Sequence, residues 1–155
     1  VVLTAAEMNA ADRFSFVIVE EQNILNGNLE DITIKGVTDV LKKRDDHPKA
    51  VLLFTVCLHH FVGSNLDYIY SELEKHFPDI CFIRCYMDPI MQKHGLTPDQ
   101  KLRKAMYDPL IECKPDDKTV SVLGSDFALD ESSDIKRLLK KYNYLSCQNV
   151  KIGRI

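Results

Sequence analysis

Several patterns that would announce a chemistry are missing from this chain. Its five cysteines, Cys57, Cys81, Cys85, Cys113 and Cys147, are odd in number and irregularly spaced, and no two form a C-x-x-C pair. That spacing argues against a disulfide framework or a self-contained zinc knuckle, and reduced thiols are expected. Neither G-x-G-x-x-G nor G-x-x-x-x-G-K-S/T occurs, which disfavours the two common phosphate-cradling loops. The acidic residues Asp126, Asp130, Glu131 and Asp134 lack the D-x-D-x-D-G order of a calcium loop, and capping plus a solvated face accounts for them. The apolar runs near Val51 and Ile80 fall far short of the roughly 18–20 residues of a membrane helix. The N-terminus, with Glu7 and Asp12, lacks a secretory pattern, so a cytoplasmic location without membrane attachment is expected. A net charge of −3 and a pI near 5.9 provide no global attraction to nucleic acid or anionic lipid. With Val1 in first place rather than Met, the chain reads as a piece excised from a longer protein.

What is present is an ordinary globular composition. With 155 residues, 45% hydrophobic and 28% charged, one domain with a two-sided core is expected. The informative stretch is AVLLFTVCLHHFVGSNLDYIY, Ala50 to Tyr70. Val51 to Val56 is short, continuous and β-branched or aromatic, the pattern of a buried parallel strand. Cys57, His59 and His60 follow on the expected loop past its carboxyl end. Gly63 and Ser64 come next, and Ser64 with Asp67 has the S-x-x-D form of a capping box. In open α/β sheets, ligands bind outside the carboxyl ends of strands, so this is the expected functional location.

Other elements alternate around it. Phe14 to Val19 reads as a strand after an irregular lead-in with a turn around Asn9 to Asp12. Leu29, Ile32, Val37, Val40 and Leu41 approximate a helical face ending in the cations Lys42, Lys43 and Arg44. Leu66, Ile69, Tyr70, Leu73 and Phe77 form the next helical face, and Ile80 to Cys85 is a strand with Cys81 inside and Cys85 at its exit. Thr97-Pro98-Asp99-Gln100 opens a helix running towards Cys113, with Leu102, Ala105, Met106 and Leu110 on its core side. Lys118 to Leu123 and Tyr144 to Val150 read as strands around a helix at Asp134 to Tyr142, with Ile135, Leu138 and Leu139 inward. Strands separated by helices imply β-α-β units. The expected fold is therefore α/β: a Rossmann-like three-layer domain spanning residues 1–155, its mostly parallel sheet of about four to five strands flanked by helices.

For Cys57, His59 and His60, thiolate and imidazole suit zinc or a transition metal, yet adjacent side chains diverge in a loop and do not easily reach one ion. A Cys–His nucleophilic pair is the other local reading, without an identifiable orienting residue. Cys81 reads as a core thiol and His94 as a solvated loop histidine.

Four passages, taken in order, resemble the nitrogenase component 1 family, which includes molybdenum-iron protein subunits, cofactor-assembly scaffold relatives and light-independent protochlorophyllide reductase subunits. Thr4 and Met8 in the lead-in, followed by Val17-Ile18-Val19-Glu20, resemble its T-T-D-M segment and V-F-G-G. VCLHHFVGSNL has the C-x5-G spacing of its C-P-x-x-x-I-G-D-D-I, in Cys57 and Gly63. FIRCYMDPIMQKHG resembles its strand with a loop ending in Gly-His, and TVSVLGSDFALDESSDIKRLLKKYNY its V-N-x-L-G strand, variable loop and following helix. The resemblance implies an electron-transfer oxidoreductase domain from a multi-domain subunit. Cys57 matches a ligand of a bridging iron-sulfur cluster shared with other domains or subunits, and Gly63 and Ser64 fall in the same cofactor-binding motif. His59 and His60 line the crevice as further candidate metal-site residues, and the full-length protein would hold a further metallocofactor. The implied partners are an ATP-dependent iron-sulfur reductase protein and a paralogous or identical subunit; no nucleic acid is expected, and the isolated domain is expected to be inactive. The alternative is a non-catalytic metallocofactor scaffold or protein-binding module of the same fold.

Overall fold

The computed structural model describes residues 2–7, 9–87, 94–110, 118–121 and 129–147. The chain divides into two compact units, one ending at Asp108 and the other beginning at Pro109. In the first, α1 (Val2–Glu7) and a single 3-10 turn (Ala11–Arg13) precede α2 (Glu21–Leu25) and α3 (Leu29–Lys43). Then come β1 (Ala50–Val56), α4 (Cys57–Phe61), α5 (Leu66–His76), β2 (Cys81–Met87) and α6 (Pro98–Tyr107). The second unit holds β3 (Thr119–Ser121), α7 (Asp134–Lys141) and β4 (Leu145–Cys147). The lead-in thus carries a helix where irregular chain is expected.

β1 and β2 pair in parallel, in register from Ala50↔Cys81 to Val56↔Met87, and β3 pairs with β4, also in parallel. The α/β class and the parallel pairing hold. One sheet of four to five strands does not form among the described residues, which carry two separate strand pairs. Phe14 to Val19 is the expected strand that is missing. Among the described residues it has no ladder partner, and Ser15 to Val19 make no backbone-to-backbone hydrogen bond. β propensity makes a segment extended; a strand also needs a neighbour at hydrogen-bonding distance.

The core of the first unit lies on one face of β1–β2. There Ile34, Val37 and Leu41 of α3 meet Ile69, Tyr70 and Leu73 of α5 and Phe82 of β2, with Val51, Leu53, Leu66, Phe77 and Tyr86 packed at the margin. Each such apolar side chain contributes on the order of 1.5–3 kcal/mol on burial. The α5 face is as its periodicity indicates. On α3 the buried row is Leu29, Thr33, Ile34, Val37 and Leu41, which displaces the expected Ile32 and Val40. Thr33 is accommodated because its hydroxyl donates to the Leu29 carbonyl at 2.8 Å.

Side chains alternate across a strand. Leu52 and Val56 therefore stand on the opposite face of β1, where they are 38% and 51% exposed. β1 is half-exposed, contrary to the buried strand its run of apolar residues suggests. α6 packs against β2, whose Ile83 and Cys85 are buried. This strand runs on to Met87, so Cys85 is an interior residue and Cys81 its half-buried first one, reversing their expected places.

α6 begins as its sequence indicates: Thr97 Oγ1 accepts from the Gln100 N–H, and the Thr97 N–H donates to Gln100 Oε1 at 2.9 Å. It ends at Tyr107 rather than near Cys113, and Met106 is exposed. On α7, Ile135 and Leu138 join Val120, Tyr142 and Tyr144 around an apolar groove yet remain about half exposed. Cys113, Asp126 and the outer ends of the two last expected strands lie outside the described residues. No helix among the described residues is long and apolar enough to cross a membrane.

Candidate functional site

The Cys57 region lies at the carboxyl end of the β1–β2 pair, as expected, but it is not a loop. The chain passes from Val56 directly into α4, a helix of five residues. A helix turns about 100° per residue, so Cys57 and His59, two apart, point to nearly opposite sides. Cys57 is half-buried, and its thiol donates to the Met87 carbonyl at 3.6 Å, tying the end of β1 to the end of β2. His59 turns inward and is only 7% exposed. Its Nδ1 lies 3.4 Å from the Val56 carbonyl. Burial lowers its pKa, partly opposed by that carbonyl and by Glu30, so the imidazole is held neutral. His60 sets its ring edge-on to Tyr86, centroids 6.1 Å apart, and Tyr86 in turn meets Tyr70 at 6.4 Å.

α4 closes on Val62 and Gly63, whose φ of 67° is the left-handed conformation that glycine supplies without strain. The Ser64 N–H then donates to the His59 carbonyl at 2.8 Å. Ser64 is not the helix cap. Asn65 is: its Oδ1 accepts from the Tyr68 N–H at 3.0 Å. The Asn65 N–H donates to Glu30 Oε1, at 2.9 Å, from the first turn of α3. That long-range bond sets the register of the junction and leaves Ser64 Oγ buried, with no hydrogen-bond partner among the described residues. Thr55 Oγ1 on β1 is in the same condition.

The structure therefore brings Cys57, His59, His60, Gly63 and Ser64 into one short helix–turn segment without converging their side chains. Among the described residues no group of three or more His, Cys, Asp or Glu side chains is placed to hold a metal ion. An iron-sulfur cluster is usually held by four thiolates. Cys57, half-buried at a strand exit, suits one such ligand; His59, turned into the fold, does not. Cys85 is sealed, 1% exposed, with its thiol pushed up to about 12 by burial. The Cys81 thiol is raised too, by burial and then by Glu74. His94 is exposed, in line with a solvated loop residue.

Glu30 and the Met87 carbonyl were not legible as parts of this junction. The nearest signal was the pairing of two capping residues, Ser64 and Asn65, ahead of Leu66.

No family model, no curated protein and no solved structure matches this chain significantly.

Proposed function

We propose that this chain is a domain of a nitrogenase component 1-like oxidoreductase subunit in which Cys57 is one ligand of an iron-sulfur cluster shared with other domains or subunits. The observation that carries the reading is the half-buried Cys57 thiol at the carboxyl end of a parallel strand pair. It is supported by the four sequence passages that resemble that family. In this reading the sheet is Rossmann-like and larger than the strand pair. Cys57 Sγ, which donates to the Met87 carbonyl here, would hold iron as a thiolate with its proton released to solvent, and Gly63 and Ser64 would shape the turn beside it. The cluster supplies one-electron transfer, with electrons arriving from an ATP-dependent iron-sulfur reductase protein; a paralogous or identical subunit and a further metallocofactor complete the full-length assembly. His60, beside Tyr86, lines the crevice. The inward turn of His59 favours a second reading, a non-catalytic metallocofactor scaffold or protein-binding module of the same fold.

Anaerobic reconstitution of the full-length protein with ferrous iron and sulfide tests the first reading. Visible charge-transfer absorbance that is lost in Cys57→Ala is expected. Absence of that absorbance, or an unchanged spectrum in the variant, refutes it. Cluster binding without electron uptake from any reductase selects the scaffold reading.

A further inference from the structure

The segment Phe14–Val19 lies in no helix or strand, starts on extended backbone at Phe14 and leads into extended backbone at Glu20, is the most β-branched part of the N-terminal region, and hydrogen-bonds to no backbone among the described residues from Ser15 to Val19. Two anchors give its direction. At its start, Arg44 Nη1 donates to the Asp12 carbonyl at 3.2 Å, which holds that end beside the C-terminus of α3, where β1 is about to begin. At its far end α2 packs against α3, and the Asn28 N–H donates to the Asn23 carbonyl at 3.1 Å, holding Glu20 near the start of α3. Between them Val17 rests on Gly36, mid-way along α3, so closely that a Cβ there would lie 2.6 Å from Val17 Cγ1. The segment therefore runs along α3 opposite to the helix, in the direction of β1. Segment, helix and β1 have the chain order of a β-α-β unit, whose crossovers are right-handed as a rule.

We propose that Phe14–Val19 is a strap that docks on the open edge of β1 as a third parallel strand. Among the described residues β1 has no ladder partner apart from β2, and the strap's Ser15 to Val19 make no backbone-to-backbone hydrogen bond, so the second edge of β1 and the strap offer complementary backbone groups. The side-chain pattern agrees. Val17 rests on α3 and Val19 is partly buried, whereas Phe16 and Ile18 are 69% and 79% exposed. By the pleat, docking stands Phe16 and Ile18 beside the exposed Leu52 and Val56 on the second face of the sheet, withdrawing apolar surface from water on both partners. It also delivers Glu20 to the end of the sheet that carries Cys57, adding a wall to the crevice. Gly36 is the contact point: a Cβ there would meet both methyls of Val17, at 2.6 and 2.7 Å, and push it off α3.

Hydrogen exchange and NMR on the whole chain test this without reference to any cluster, so its outcome is separate from that of the proposed function. Backbone amides of 15–19 that exchange as slowly as those of β1, with cross-strand contacts between 14–19 and 50–56, are the expected result. Exchange at the rate of unprotected chain, or no cross-strand contacts, overturns the proposal. In Gly36→Ala, with α3 retained by circular dichroism, protection of 15–19 is expected to fall at least tenfold. Val17→Ala in that background, which removes the colliding methyls, restores it; unchanged exchange in Gly36→Ala counts against the strap.

Discussion

Leu73→Ala is the sharpest test of whether α3 and α5 form the layer that supports the site. Leu73 has no exposed surface and lies in the cluster with Ile34, Val37, Leu41, Ile69, Tyr70 and Phe82. Truncation removes three buried carbons and opens a cavity between two helices and a sheet that are packed on all sides. Large-to-small changes of this kind cost about 2–5 kcal/mol, and full burial places Leu73 near about 3 kcal/mol. For a unit of this size each kcal/mol shifts Tm by about 4–8 °C, so a fall of roughly 12–24 °C is expected in a thermal melt followed by circular dichroism. Leu52→Ala is the control, because Leu52 is 38% exposed on the open face of β1. It is expected to cost roughly 1 kcal/mol or less. If Leu73→Ala proves no more damaging than Leu52→Ala, the α3–α5 layer is not the core, and the support argued for the Cys57 junction fails with it.

Cys85 makes a prediction about pH. Its folded thiol is raised to about 12 from an ordinary value near 9.0. The folded state therefore keeps its proton where the unfolded state loses it; the stability contribution is complete below pH 9 and is lost as pH rises towards 12. Denaturant midpoints should fall across that window and fall less in Cys85→Ala relative to its own neutral-pH value; equal slopes would contradict the burial argument. At neutral pH, iodoacetamide should leave Cys85 unmodified in the folded protein and label it after unfolding, as mass spectrometry of digested peptides will show. Glu30→Ala should weaken the α3–α5 junction by about 1 kcal/mol, since it removes the acceptor of the Asn65 N–H. Glu30→Gln keeps an oxygen there and should cost less; equal losses in urea titrations would show that the bond at Asn65 is not what Glu30 supplies.

Local signals explain the parts of the chain whose structure could be read in advance. The α6 start is written in Thr97-Pro98-Asp99-Gln100, where cap, proline and return bond all lie within four residues. The α5 face is written in Leu66, Ile69, Tyr70, Leu73 and Phe77, whose spacing follows from helix geometry alone. The placement of Cys57 directly after a strand could be read for a similar reason: an apolar run, a cysteine and then a glycine mark a strand exit wherever the strand pairs.

Details of that exit depended on groups far away in sequence. Ser64 and Asn65 are both capable caps, and the choice fell on Asn65, whose N–H is held by Glu30, thirty-five positions earlier. Cys57 and His59 separated because α4 begins without a loop, with the thiol held to Met87 across the sheet and the imidazole turned inward. By itself, the sequence determined the α5 face, the α6 cap and the position of Cys57 after a strand, because those depend on residues within a turn or two of one another. Only the tertiary structure decided which strands pair, which of two adjacent caps is used and which face of β1 stays open, because each is settled by contacts between residues that the chain keeps far apart.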